Sequence, residues 1–144
     1  MSKVHLYLLF DGNCAEAFGF YKSVFGGEFL SYIKYGDIPQ IEGVPSISEN
    51  DKQKVENISL EIAPETILMG ADAIGEMAKV TVFGNNFSIY IEADNTGQAD
   101  KLYKSLSEGG YSTMPMTTAH WGGYFGMLTD RFGINWLINK SAAK

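Results

Sequence analysis

One stretch of this chain occurs twice. Residues 13–27 read NCAEAFGFYKSVFGG and residues 95–110 read NTGQADKLYKSLSEGG. Asn13 pairs with Asn95, Glu16 with Gln98, Ala17 with Ala99 and Tyr21-Lys22-Ser23 with Tyr103-Lys104-Ser105, each pair 82 residues apart. The closing glycines, Gly26-Gly27 and Gly109-Gly110, are offset by 83, so the second copy is about one residue longer. A repeat of this length in 144 residues means two copies of one supersecondary unit.

Each copy carries its own helix signals. Asn13 and Asn95 are N-cap residue types, and Glu16 and Gln98 stand three positions on, where a side chain can reach back to the cap amide. Ala17, Phe20, Tyr21, Val24 and Phe25 recur at helical spacing, as do Ala99, Leu102, Tyr103 and Leu106. Glycine closes both copies, as helix C-termini favour. Helices are therefore expected near 14–25 and 96–108. The strand patterns VHLYLLF (4–10) and FSIYIEA (87–93) precede them.

After each helix the pattern returns to strands. EFLSYIKYG (28–36), NISLEIA (57–63) and TILMGAD (66–72) follow the first. Residues 57–63 alternate, with Ile58, Leu60 and Ile62 on one face and Asn57, Ser59 and Glu61 on the other. YSTMPMTT (111–118), HWGGYFGMLTD (120–130) and INWLIN (134–139) follow the second, and Pro115 puts its strand at an edge or bulge. Residues 36–54, with two of the four prolines, read as a long surface loop and the one place for a lid. Residues 73–86 join the copies. The expected fold is α+β: two β-α-β-β-β modules, about 1–72 and 86–140, sharing one domain over 1–144.

A chain of this size buries roughly 68–70% of its unfolded surface and needs no disulfide or metal staple. Its one cysteine, Cys14, allows no internal disulfide and fits a reducing compartment. No apolar run of 18 residues or signal peptide is present, so a soluble, cytoplasmic protein is expected, with no membrane partner. A net charge of −6 with scattered basic residues argues against nucleic acid.

Two such modules with a long loop in the first resemble the vicinal oxygen chelate superfamily of glyoxalases, bleomycin resistance proteins and dioxygenases. YLLFDGNCAEAFGFYKSVFGGEF, the YGDIP loop opening, ILMGAD, GNNFSI and GGYSTMPMTTAHWGGYFGMLTDRFGINWLIN resemble its PhnB-like branch. The resemblance implies that each sheet curls into a half-barrel with the helix outside, that a ligand or metal sits in the cup, and that chains pair as homodimers. Relatives of this type often carry the label 3-demethylubiquinone 3-methyltransferase. Common methyltransferases approach their cofactor with a Gly-rich loop between strand and helix. Asp11-Gly12-Asn13 has one glycine and Ala93-Asp94-Asn95 has none.

The resemblance puts metal slots near His5, Ser88, Met69 and Leu137, of which His5 alone is a plausible ligand. His5 reads instead as a hydrogen-bonded histidine in a half-buried strand, and no metal or cofactor is expected. Parity turns Ser88, Tyr90 and Glu92 into the cup, and by the repeat His5, Tyr7 and Leu9. Tyr7, Tyr90, Met69, Met116, His120 and Trp121 are the candidate ligand-binding residues, around a pocket that also takes in Leu137. His120 is the best acid–base candidate by residue type, but opens a strand as a structural or exposed histidine. Cys14, in the first turn of a helix, reads as a small packed residue, and Glu61 and Glu92 as inward carboxylates or solvated strand ends. Three functions fit: a metal-free binder, or enzyme of unassigned reaction, for a small apolar or aromatic molecule; a metal-dependent lyase or dioxygenase; or a non-catalytic interaction protein with a filled barrel.

Overall fold

The computed structural model of the chain describes residues 2–39, 41–44 and 46–142. It divides into two compact units, Met1–Val82 and Phe83–Lys144. The first contains β1 (Leu6–Phe10), α1 (Cys14–Phe25), β2 (Phe29–Lys34), β3 (Val55–Ala63) and β4 (Thr66–Asp72), followed by a short α2 (Gly75–Val80). The second contains β5 (Ile89–Glu92), α3 (Thr96–Ser107), β6 (Tyr111–Thr118), β7 (Tyr124–Thr129) and β8 (Asn135–Lys140). The repeat therefore folds as two βαβββ modules.

Both modules have one strand order. The sheets run β1-β4-β3-β2 and β5-β8-β7-β6, four strands each and open at both edges. In each, the first and last strands pair in parallel and the remaining pairs are antiparallel. Tyr7 stands opposite Met69 across the parallel pair, and Tyr90 opposite Leu137.

One face of each sheet is closed by its helix. In the first unit Leu8, Phe10, Ile58, Leu60 and Leu68 bury with Ala17, Phe18 and Tyr21. The buried positions of α1 are Cys14, Ala17, Phe18 and Tyr21, so the apolar stripe is turned from the expected one and takes in Phe18. Gly70 is the reason: a Cβ there would stand 2.6 Å from Phe18 Cε1. The missing side chain admits the ring, which meets Phe10 and Tyr21 edge to face at 6.1 and 5.6 Å.

The two helix starts differ. Asn95 caps α3, accepting from the Gln98 amide at 2.8 Å, while Gln98 Oε1 accepts from the amide of Asp94 at 2.6 Å. Asn13 makes no side-chain cap bond. In its place the carboxylate of Asp72, at the end of β4, accepts from the amides of Gly12 and Cys14 at 2.9 and 3.0 Å.

Three local expectations change. The 73–86 join holds α2, whose Lys79 and Glu76 pair at 2.9 Å. The 36–54 loop is flanked by 3-10 turns at Tyr35–Asp37 and Asp51–Gln53 and closed at its base by Tyr35 N to Lys54 O at 3.0 Å; its Gln40 and Pro45 lie outside the described residues. His120 and Trp121 do not open β7. They occupy a tight turn closed by Ala119 N to Gly123 O at 2.7 Å, which Gly122 permits at φ +92°. Pro115 lies on the edge strand β6, where the register shifts between Met114 and Thr117.

Candidate functional site

The second sheet has a face that α3 does not cover. Strand alternation brings Tyr90 and Glu92 of β5, Leu137 and Asn139 of β8, and Phe125 and Met127 of β7 to it, since Ile89, Trp136, Ile138 and Leu128 bury on the other side. Two open hollows lie here. One, of about 160 Å³, is lined by Tyr90, Trp121, Phe125, Leu137 and Asn139. The other, of about 330 Å³, is more polar and is lined by residues that include Ser88, Tyr111, Met127, Thr129 and Asn135. Its Thr129 hydroxyl is already given to Asn135 Oδ1 at 2.6 Å, and Asn135 Nδ2 to the carbonyls of Asn85 and Phe87.

The smaller hollow has an aromatic wall and a polar end. Trp121 and Phe125 lie with ring centroids 5.1 Å apart at 39°, and His120 meets the indole edge to face at 4.9 Å. At the polar end the Tyr90 hydroxyl donates to Glu92 Oε1 at 2.8 Å. Asn139 Nδ2 donates to Tyr90 Oη at 3.0 Å and to Glu92 Oε1 at 3.1 Å. Ser141 adds its amide to Oε2 at 2.7 Å and its hydroxyl to Oε1 at 2.9 Å. These donors, the Ser141 amide first and the Tyr90 hydroxyl next, hold the Glu92 carboxyl down at about 2. Partial burial, then the bond to Glu92, pushes the Tyr90 phenol up. Asn139 Oδ1 is buried and, among the described residues, accepts no hydrogen bond.

Of the six candidate residues, Tyr90 and Trp121 come together, beside Leu137. Tyr7 and Met69 are neighbours on the first sheet, in the register that Tyr90 and Leu137 hold on the second. Tyr7 is 60% exposed. Its phenol is pushed up by what burial it has and then by Glu56. Met116 is on the helix side of its sheet, with Sδ 2.7 Å from where a Gly126 Cβ would be, next to Tyr103. His120 is exposed in the β6–β7 turn and touches the hollow through Trp121. The Cys14 thiol is fully buried, and burial followed by Asp72 drives it far above the ordinary thiol range, so it is packing and not chemistry. Phe125 and Asn139 are the lining residues that sequence reasoning missed. Asn139 was within reach of it: it stands opposite Glu92, two residues beyond Leu137, on the same alternation.

A divalent metal at the superfamily position does not fit this donor set. His5 Nδ1 accepts from the amide of Ile67 at 3.1 Å, and the other slots present Ser88, Met69 and Leu137. Among the described residues no group of three or more His, Cys, Asp or Glu could hold a metal ion. Nor, among them, is any helix long and apolar enough to cross a membrane. At the helix starts the amides of Gly12 and Cys14 are taken by Asp72, and those of Asp94 and Gln98 by the side chains of Gln98 and Asn95.

Known proteins share this architecture over their whole length. The crystal structure of protein PA1353 from Pseudomonas aeruginosa superposes with a TM-score of 0.81 at 30% identity, covering 99% of this chain and 100% of that one. A PhnB protein from Bacillus cereus, described as a putative 3-demethylubiquinone-9 3-methyltransferase, gives 0.74 at 22% identity over 97% and 100%. A glyoxalase/bleomycin resistance protein/dioxygenase family enzyme from Burkholderia phytofirmans PsJN gives 0.62 at 16% identity over 94% and 95%, a likeness of fold. Protein YjdN of Escherichia coli is 28% identical over 138 residues, 92% of this chain and 91% of that protein. The sequence profile of the family described as 3-demethylubiquinone-9 3-methyltransferase matches residues 2–139. The chain belongs to that family.

Proposed function

We propose that this protein binds a small, flat, apolar or aromatic molecule in the hollow between Tyr90, Trp121, Phe125 and Leu137, without a metal ion. One observation carries the reading. Tyr90 and Trp121 are 56% and 57% exposed, yet they border one hollow with a third ring. Large aromatics left open to water around a shared concavity are what a planar ligand covers, gaining area burial and ring contacts at about 0.5–1.5 kcal/mol per aromatic pair. Tyr7 and Met69 offer the matching surface on the first sheet, His120 supports the indole, and Met116 backs β7 from the other side. No methyl transfer is assigned, because neither helix start has a Gly-rich approach to a cofactor.

The protein works in the cytoplasm as a homodimer. Its lone reduced-type cysteine supports the first statement. The second is supported by the edge strand β2, whose Leu30, Tyr32 and Ile33 are exposed apolar residues suited to a closed two-fold contact. A monomer mass in light scattering at micromolar concentration removes the dimer.

The test of binding is a melting-shift screen of planar aromatic compounds against the wild type and Trp121→Ala. Compounds that raise the wild-type midpoint and leave the variant unmoved support the site. Equal shifts in both proteins, or none in either, overturn it. Metal analysis of the purified protein checks the other clause: one stoichiometric equivalent lost in His5→Ala contradicts a metal-free site.

A further inference from the structure

Resting on that binding site, the arrangement at Asn139 narrows what the site takes. We infer that the ligand is a neutral aromatic molecule bearing an O–H or N–H group, which donates to Asn139 Oδ1. The side-chain amide of Asn139 has one orientation open to it. Its Nδ2 is held by Tyr90 Oη at 3.0 Å and Glu92 Oε1 at 3.1 Å. Flipping the amide would set its oxygen against the Glu92 carboxylate and a second acceptor, so the observed orientation is fixed by chemistry. Oδ1 is therefore turned away from that network. It is buried without a partner among the described residues, in a residue 6% exposed that lines the hollow.

A buried acceptor without a donor is costly and calls for an occupant. The turn at Gly123 and Trp121 covers it. Oδ1 lies 3.0 Å from where a Cβ on Gly123 would be, and Trp121 Nε1 lies 2.5 Å from the same point. Gly123 contributes no side chain there, and Trp121 stands in a turn whose indole leans on Phe125 and His120. A ring entering the hollow displaces the indole sideways and brings its donor to Oδ1.

Charge decides between neutral and anionic ligands. Glu92 is ionised at neutral pH and its Oε1 is 2.8 Å from the Tyr90 hydroxyl at the polar end. None of the five lining residues is a lysine or arginine. A carboxylate or phosphate would meet a negative charge there with no counter-charge in the lining. The Tyr90 hydroxyl already donates its hydrogen bond to Glu92, so it offers an anion no donor.

Indole and benzofuran separate this proposal from the one beneath it, being alike in shape while only indole has an N–H. By calorimetry on the wild type, indole is expected to bind about tenfold or more tightly than benzofuran. Phenol is expected to bind at least about tenfold more tightly than benzoate. In Asn139→Leu the ratio of indole to benzofuran affinity is expected to fall to about one. Equal wild-type affinities for indole and benzofuran overturn the Asn139 assignment and leave the aromatic site standing. Benzoate binding as well as phenol overturns the neutral-ligand clause. If none of the four binds, the site and this inference fall together. The wild-type comparison stands by itself should Asn139→Leu not fold.

Discussion

The carboxylate of Asp72 accepts a hydrogen bond from the amide of Cys14 at 3.0 Å, tying the end of β4 to the first residue of α1. The same side chain accepts from Gly12 N at 2.9 Å and from Val55 N, at the start of β3, also at 2.9 Å. A single carboxylate thus fixes three strand and helix ends. Asp72 is 1% exposed, so water does not replace it.

Asp72→Ala strands the Cys14 and Val55 amides in the interior at about 1–3 kcal/mol each, for a loss of about 2 kcal/mol or more. Asp72→Asn keeps one acceptor oxygen and turns an NH2 group on the remaining donors, so it should lie between wild type and Ala. Chemical denaturation of the three proteins checks the order. An alanine variant as stable as the wild type would mean that α1 does not depend on this cap.

Gly70→Ala is a second test of the core. The added methyl would stand 2.6 and 3.0 Å from two atoms of the Phe18 ring and 3.2 Å from the Leu8 carbonyl. Phe18 is fully buried between Phe10 and Tyr21 and has nowhere to retreat. Overpacking of this kind costs about 1–3 kcal/mol. Pairing it with Phe18→Leu should restore part of the loss, because the clash is with the ring. Additive losses in the double variant would place the damage elsewhere.

The helices α1 and α3 and the strands β1 to β8 were legible because the repeat states each signal twice, whereas α2 lies outside the repeat. The departures arise where a distant residue overrules a local one. Asn13 has the residue type of a cap, but Asp72 reaches its neighbours' amides from 58 or more positions away. Phe18 lies off the expected stripe, and the glycine that admits it is on β4. His120-Trp121 reads as the opening of a strand because β-prone residues follow, whereas the Gly122-Gly123 pair makes it a turn. That turn is what lays the indole on Phe125 and brings Trp121 beside Tyr90. The parity of β5 and β8 was readable, so Tyr90 and Leu137 were found. Asn139 lies on that same alternation, but what it does shows only in its bonds to Tyr90 and Glu92.

Glu92 makes acid stability testable. Its folded value of about 2 lies below the ordinary 4.5, so its contribution is present above about 4.5 and is lost as pH falls towards 2. The group is largely exposed, which limits that contribution to less than about 1 kcal/mol. Glu92→Gln should therefore melt slightly below the wild type near neutral pH, with the gap closing between about pH 4.5 and 2. A gap that widens on acidification contradicts the linkage.

Tyr90→Phe removes one hydroxyl from the polar end of the hollow and nothing else. That hydroxyl donates to Glu92 Oε1 at 2.8 Å and accepts from Asn139 Nδ2 at 3.0 Å. Tyr90 is half exposed, so water replaces much of what is lost and the stability cost should stay below about 1 kcal/mol. The ring remains, so planar aromatic compounds should still bind. The sharper readout is Glu92 itself. With one donor gone its carboxyl should titrate above the present value of about 2, yet short of the ordinary 4.5, because the Ser141 amide still holds Oε2 at 2.7 Å. Carbon-detected NMR titration of the Glu92 carboxyl in wild type and variant measures this directly. Tyr90→Ala, which deletes the ring as well, should show the same titration but lose aromatic binding. An unchanged Glu92 titration in Tyr90→Phe would mean that the phenol and the carboxylate do not share a proton in solution, and the network that orients Asn139 would have to be redrawn without Tyr90.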